Sequence, residues 1–371
     1  MSYDIDRPRG KPRSSPPRRG SDVSIFANSL AALSAHGSTP HGRLDNFCFR
    51  HAGTDYSAFD LMTSYPCLSH AVSVVCSGMD EDDTIAYDPR TRELDHEILN
   101  LHRDDFVRRL REDLRTKQYR RAEPTTADLP KIKYRSDNEL DVVAIWDADD
   151  RDLLKANCFD ADGKIKTRRI TVDSIAHRVA ARAANTLALA FAAPRLKSCV
   201  IGCVPGVGMP HIIKGLRLAA QTSGRHIALC FDITGFYDNI VNDKALAYLR
   251  GILGYAPKTK LGLHLEGLIL GADAPSRGLP QGNPLSPLLA NVYAAEAIDV
   301  EAMNWGPYMR YVDDGLVLCR SMNEAHRAFK AISTRANGYG LTLHPDKTEI
   351  HDLRTSTMCR PVASTSTSAA T

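Results

Sequence analysis

The sequence predicts an α+β fold: a mainly helical N-terminal region, then an antiparallel sheet backed by helices in the order βαββαβ. Three observations predict it. The chain has 371 residues with 43% apolar content, ample for a sizeable core and two subdomains. From Ala228 onward, short apolar strands alternate with stretches of helical periodicity. And "RYVDDGLVL", Arg310 to Leu318, sets Asp314-Gly315 between two apolar runs, the strongest short-range signal for a hairpin.

Taken in order, residues 1–45 read as a disordered basic tail. Its opening, "MSYDIDRPRGKPRSSPPRRGSD", is rich in Arg, Pro and Ser and lacks the apolar centre of a signal peptide. Its other possible use is as a nucleic-acid-binding arm. Between Leu94 and Tyr119, positions Ile98, Leu101, Phe106, Leu110 and Leu114 fall near helical spacing, giving an amphipathic helix with a basic outer face. Residues 123–165 are polar and irregular apart from "VVAIW" (142–146), a candidate strand. "TRRITV" alternates like a strand and feeds a helix beginning near Ser174. That helix holds the most apolar stretch, "VAARAANTLALAFAAP", which carries Arg182, ends at Pro194 and is too short for a membrane span. Nine scattered cysteines without a C-x-x-C pair read as reduced thiols, which points to the cytoplasm and away from a zinc site. The net charge of +3 identifies no partner, but bases cluster at 7–19, 108–121 and 164–169.

The C-terminal elements are sharper. "ALCFDI" is a short strand ending at Asp232, and "NDKALAYLRGIL" a helix capped by Asn242 or Asp243. A Gly/Pro-punctuated loop, "SRGLPQGNPLSP", runs into the helix "LLANVYAAEAID". The hairpin "YMRYV-DDG-LVLCR" follows, then a helix at 323–337, a last strand "GLTLHP" and a low-complexity tail.

The hairpin raises a chemical question. An Asp-Gly turn explains Asp314 but leaves Asp313 without a task, whereas a metal site at the tip would offset the repulsion of both. On this stretch alone both readings stay open. In a split βαβ sheet the first strand and the central hairpin are neighbours, which would set Asp232 beside Asp313. Two carboxylates converging from adjacent strands suit two Mg²⁺ ions ~3.5–4 Å apart, hard cations that share their remaining positions with phosphate oxygens. Singly, Asp232 reads as a cap or turn aspartate.

"FDITGFYDNI", "RGLPQGNPLSPLLANVY", "YVDDG" and "GLTLHPDKTEI", in that order, resemble the successive palm motifs of a reverse transcriptase, most closely the group II intron-like and bacterial branch with its retron and defence-associated enzymes. The resemblance is specific over residues 225–352. Upstream, "KTRRITVDSIAHRVAARA" is similar to the fingers segment and "SCVIGCVPGVGMPHIIKGL" to the segment before the first palm strand.

The resemblance implies RNA-templated DNA synthesis with Mg²⁺ as cofactor (two ions, Mn²⁺ as a substitute), an RNA template, a DNA or RNA primer and deoxynucleoside triphosphates. Asp232, Asp313, Asp314 and the backbone of Ile233 would hold metal. Lys347 would protonate the leaving pyrophosphate, although a plain surface lysine also fits. Tyr237 would lie under the incoming sugar and exclude a 2′-hydroxyl, its alternative being a core tyrosine beside Phe236. Amides of Ile233, Thr234, Gly235 and Phe236 would hold triphosphate oxygens. Gln281 would lie against the nascent base pair, with Gly278 and Gly282 permitting unusual backbone angles and Ser286 and Asn291 supporting the loop and helix. Lys164, Lys166, Arg168 and Arg169 resemble the fingers positions that grip triphosphate and template.

The implied organisation is a tail (1–45), a fingers-like region with a polar insertion (46–224), a palm (225–352) and a disordered end (353–371). The family continues past the last palm motif into a helical thumb, and "HDLRTSTMCRPVASTSTSAAT" offers no amphipathic helix for one. The expectation is therefore an absent thumb: either a protein or structured RNA partner supplies the clamp, or the chain is a truncated copy. Competing functions are an RNA-templated RNA polymerase, a nucleotide cyclase, and a non-catalytic RNA-binding or maturation factor descended from a mobile element. Tyr237 argues against the first, the "LPQG" loop against the second, and the three aspartates against the third.

Overall fold

Helix α1 (Arg19–Gly37) corrects the first expectation, since part of the supposed tail is ordered. The computed structural model describes residues 19–80, 99, 102–130, 167–204, 206, 208–271, 274–355 and 357–359. Phe26, Leu30 and Leu33 recur at helical spacing, and the helix packs this stripe against a later apolar helix, Ile175–Ala192. The basic composition of residues 7–19 had masked that pattern. Arg195 fixes the helix end, donating to the carbonyls of Gly37, Gly42 and Ile252 at 2.6, 2.5 and 2.7 Å.

A hairpin of β1 (Cys48–His51) and β2 (Thr54–Ser57) leads into α2 (Ala58–Met62), opened by a capping box of Ser57 and Asp60. Helices α3 (Tyr65–Asp80) and α4 (Arg103–Thr116) follow. The latter buries Phe106, Leu110 and Leu114 as expected, and of the stretch from Leu94 that the periodicity joined to it, all but Leu99 and His102 lies outside the described residues. Strands β3 (Thr125–Pro130) and β4 (Thr167–Val172) pair antiparallel, and α5 (Ile175–Ala192) starts at the Ser174 cap. Residues 125–130 therefore form a strand where the sequence read as irregular, held by the ladder to β4, while "VVAIW" and the rest of 131–165 lie outside the described residues. Helix α6 (Met209–Ser223), which the sequence reading did not assign, precedes the main sheet.

That sheet opens with β5 (Ile227–Phe231). One helical turn, α7 (Phe236–Asn239), and helices α8 (Asn242–Leu253), α9 (Lys260–Ile269) and α10 (Ser286–Ala294) follow. Helix α10 continues through a π-turn (Ala295–Asp299) into α11 (Val300–Ala302). Then come β6 (Tyr308–Tyr311), β7 (Asp314–Cys319), α12 (Met322–Gly338), β8 (Glu349–Asp352) and β9 (Thr357–Cys359). All pairings are antiparallel, in the order β6-β7-β5-β8-β9. The expected α+β palm fold is present, with β5 beside the hairpin. One apolar core joins both halves, from Leu33 to Ile350.

Four local expectations fail. The last strand is not "GLTLHP", where only Leu343 bridges Ile233, but Glu349–Asp352. The segment 353–371 is not wholly without structure, because Thr357–Cys359 adds an edge strand to β8; residues 360–371 lie outside the described set. Helix α8 is capped neither by Asn242 nor by Asp243: the cap residue is Val241, and the buried Asn242 amide donates to Pro275 and Gly278 carbonyls at 2.7 and 3.0 Å. The hairpin turn is not Asp314-Gly315. Tyr311 pairs with Asp314, so Val312-Asp313 is the loop and Gly315 lies in the strand. Gly315 is there for space: a Cβ would collide with the Phe231 ring that covers it.

Candidate active site

Three chain segments meet at the end of β5. The β5–β7 register pairs Phe231 with Gly315, so Asp232 and Asp314 stand one step beyond the last pair and Asp313 at the adjoining tip. Asp232 is 8% exposed, Asp313 half-buried and Asp314 exposed. Burial holds the Asp313 carboxyl above the usual carboxylate range, and the neighbouring Asp232 charge adds to the rise, while Lys347 and Arg168 oppose it. The segment after α12 returns beside β5: His344 N–H donates to the Asp232 carbonyl at 2.7 Å and Thr234 N–H to Thr342 at 2.9 Å. That return carries Lys347, whose Nζ stands 3.0 Å from Asp232 Oδ2 with its side chain 61% exposed.

Carboxylates from adjoining strand ends and a turn come together here, and an ammonium already stands in their field. Among the described residues no three His, Cys, Asp or Glu side chains gather into a group that could hold a metal ion, so the carboxylates as they stand supply only part of a hard cation's oxygen ligands.

Beside the carboxylates, α7 and the loop after α9 form one unit. Gly278 N–H donates to Ile240 and Leu279 N–H to Tyr237, each at 2.9 Å, and Gln281 Nε2 reaches Asp238 Oδ1 at 3.4 Å. Gly278 and Gly282 take φ of 98° and 115°, the angles for which glycine was expected. The close approach at Gly282 is to protein: its missing Cβ leaves room for the Thr171 carbonyl of β4. Thr171 N–H in turn donates to the Gln281 carbonyl at 2.6 Å, so this loop holds the β3–β4 hairpin over the sheet end. Ser286 ties the loop to Pro280 at 2.8 Å, and the buried Asn291 donates to Gly202 at 2.9 Å.

Tyr237 is half-buried, edge-on to the buried Phe236. Burial first, then Cys203 and Asp313, push its phenol well above the usual tyrosine range, while Arg168 opposes. Arg168, on β4, thus acts electrostatically on both Tyr237 and Asp313. Arg169 also lies on β4, where its Nη2 donates to Thr126 Oγ1 at 3.3 Å, and Lys164 and Lys166 lie outside the described residues. One expected donor is engaged elsewhere: the Thr234 amide, bonded to Thr342, is not available to a phosphate, whereas Gly235, at φ 52°, opens α7.

The sequence reading missed Arg310 and Asp299. Arg310 is fully buried, pairs with Asp299 at 2.7 Å, and donates to Asn291 and to the Val312 carbonyl at 2.9 Å. Its signal was legible, because an arginine inside an apolar strand demands a buried acid.

The chain also resembles known proteins. None of the curated proteins matches it. Among solved structures it is similar to a Candida tropicalis telomerase in its apo form, truncated from the C-terminal domain, with 12% identity, a TM-score of 0.36 and 53% of each chain covered. It is also similar to a Candida albicans telomerase in complex with a TWJ fragment of telomeric RNA, with 12% identity, a TM-score of 0.39, and 52% of this chain and 42% of that one covered. It therefore spans about half the length of each. The family model for reverse transcriptase (RNA-dependent DNA polymerase) matches residues 164–359, more than half of the 371, and takes in β4, the main sheet and every carboxylate of the site. The chain belongs to the reverse transcriptase family.

Proposed function

We propose that this chain synthesises DNA on an RNA template, with Asp232, Asp313 and Asp314 as its catalytic carboxylates. The observation that carries the reading is the meeting of Asp232 and Asp313 at neighbouring strand ends, where burial and mutual repulsion hold Asp313 above the usual range. These carboxylates and the Ile233 backbone would hold two Mg²⁺ ions, or Mn²⁺, which when bound supply activation of the primer hydroxyl and charge neutralisation at the leaving pyrophosphate. Lys347, exposed beside Asp232, is placed to give a proton to that pyrophosphate. Arg168 lends positive charge on the triphosphate side, and with Arg169 and the sequence neighbours Lys164 and Lys166 we assign it the grip on triphosphate and template. Tyr237 presents its ring at the sugar position and selects deoxynucleotides, with Phe236 holding it from behind. Gln281 and Gly282 form the floor against the nascent base pair, and Gly235 and its neighbours face the triphosphate.

The setting we propose is a retroelement or antiviral defence system of the bacterial branch, on the strength of the motif resemblance. The compartment we propose is the cytoplasm, because nine scattered cysteines without a C-x-x-C pair suit reduced thiols; no described helix is long and apolar enough to cross a membrane.

The test is primer extension by the purified chain on a primed RNA template with Mg²⁺ and deoxynucleotides. The wild type is expected to extend the primer and Asp232→Asn to fall to background. Equal extension by the two, or none by a folded wild type, overturns the reading. Tyr237→Ala is expected to raise ribonucleotide use relative to deoxynucleotide by about 10²-fold, and an unchanged ratio returns Tyr237 to the core.

A further inference from the structure

Val312 has a backbone its side chain disfavours. It is β-branched, yet takes φ 57° in the two-residue loop before Asp314, a region suited to glycine, asparagine or aspartate. Such a conformation persists only where the surroundings over-determine it. Here they form a closed ring of contacts. Arg310 Nη1 donates to the Val312 carbonyl at 2.9 Å and to Asn291 Oδ1 at 2.9 Å. Asn291 Nδ2 donates to the Gly202 carbonyl at 2.9 Å. Gly202 lies against Val312 so closely that a Cβ would stand 2.6 Å from the Val312 nitrogen. The strand backbone closes the ring, with Ile201 N–H donating to Arg310 at 2.9 Å and Arg310 N–H to Cys199 at 2.8 Å. Asp299 anchors Arg310 through both carboxylate oxygens, at 2.7 and 2.9 Å, and also accepts the Tyr308 hydroxyl at 2.9 Å. All five guanidinium N–H groups are engaged.

We propose that Arg310 is a positioning residue which, with Asn291 and Gly202, clamps the Val312-Asp313 turn in its strained form and so aims the Asp313 carboxylate at Asp232. Its catalytic consequence rests on the polymerase reading above; the clamp itself does not. An arginine serving only as a core ion pair would stabilise the sheet without caring what stands at 312. A clamp makes a specific demand: glycine at 312, which adopts this backbone without strain, makes the clamp less necessary.

The experiment is a double-mutant cycle on the full chain. Arg310→Lys keeps the charge opposite Asp299 but cannot fork to Asn291 and Val312 together. It is expected to lower kcat of single-nucleotide extension about 10-fold with KM for the nucleotide changed less than about 3-fold. Val312→Gly is expected to restore at least about 3-fold of that loss without raising kcat in the wild type, and to raise the urea midpoint more in the wild type, where the strained turn is enforced, than in Arg310→Lys, where the turn can relax. Gly202→Ala, which removes no charge and leaves the core pair intact, is expected to lower kcat comparably by displacing the turn. It decides the matter where Arg310→Lys does not fold. Equal effects of Val312→Gly in both backgrounds, or a Gly202→Ala enzyme with wild-type kcat, overturn the proposal. Should the wild type extend no primer, the polymerase reading falls, and the urea cycle alone still decides the clamp.

Discussion

Arg310 and Asp313 stand three residues apart on one hairpin and treat charge in opposite ways. Arg310 is wholly buried, and its charge is cancelled inside the protein by Asp299 with every donor engaged. Asp313 sits half-buried beside a second carboxylate, where the fold makes its ionisation harder. A charge that serves the fold is neutralised by the fold, whereas a charge that serves chemistry is left for a ligand to neutralise. Breaking each in turn should therefore give opposite signatures.

The largest effect belongs to Asp313. Asp313→Ala should lower primer extension by at least about 10³-fold, a transition-state loss of ~4 kcal/mol, with little loss of folding stability. Single-turnover extension alongside urea unfolding checks both halves. Extension within tenfold of the wild type would remove Asp313 from the chemistry.

Next comes the buried pair, where the signature inverts. Arg310→Leu leaves Asp299 charged, uncompensated and wholly buried, which typically costs 3–5 kcal/mol, roughly, of stability. Urea unfolding measures it. A loss below ~1 kcal/mol would mean that water reaches Asp299 in the variant.

A second neutralised network lies where α5 meets the end of α9. His177 Nδ1 lies 2.9 Å from the Tyr119 hydroxyl, and Nε2 lies 3.0 Å from the Leu268 carbonyl, which can only accept. Burial, with the Arg121 charge adding to it, lowers its pKa to about 4 against Asp173 and the Leu268 carbonyl, which favour the charged form. The unfolded chain therefore takes up the proton first: this contribution to stability is complete above pH ~6.5 and is lost as pH falls toward 4, up to ~3 kcal/mol. Urea midpoints between pH 7 and 4 for the wild type and His177→Gln read it. A variant curve parallel to the wild-type curve would assign the acid loss to other groups.

How much of this could be read in the sequence follows from the range of the forces involved. The motif "FDITGFYDNI", the Gly/Pro loop and the paired aspartates declare themselves because glycine, proline and adjacent like charges are anomalies of local chemistry. The α8 helix and the β5 strand were legible from periodicity alone. Pairing register was not. Nothing local says that Tyr311 pairs with Asp314, and the Asp-Gly signal pointed to the wrong two residues, because Gly315 serves to accommodate Phe231 across the sheet. Helix α9 was missed because "KLGLHLEGLI" alternates like a strand and holds two glycines; its helicity comes from packing Leu261, Leu265, Leu268 and Ile269 into the core. The role of Asn242, which bonds the loop at 275–278, depends likewise on a contact distant in sequence.

The smallest effect is the most pointed test of the contrast. Asp313 ionises less readily in the folded chain than in the unfolded one, because burial and Asp232 outweigh Lys347 and Arg168. The sign follows: its contribution to stability is fully present below the unfolded carboxylate pKa of ~3.9 and is lost as pH rises through the raised folded value. At pH 7 the metal-free protein has lost it. Asparagine cannot ionise and keeps nearly the same shape, so Asp313→Asn should melt higher than the wild type in EDTA while extending no primer, stability and activity moving in opposite directions at a single atom. Adding Mg²⁺ or Mn²⁺ should then raise the wild-type melting temperature, because anything that binds the native state stabilises it, and should raise that of Asp313→Asn much less. Thermal melts of the two proteins, with and without the ion, make four numbers. A variant that melts below the wild type in EDTA would mean that Asp313, like Arg310, is a charge the fold has already neutralised, and the contrast on which the site was recognised would be gone.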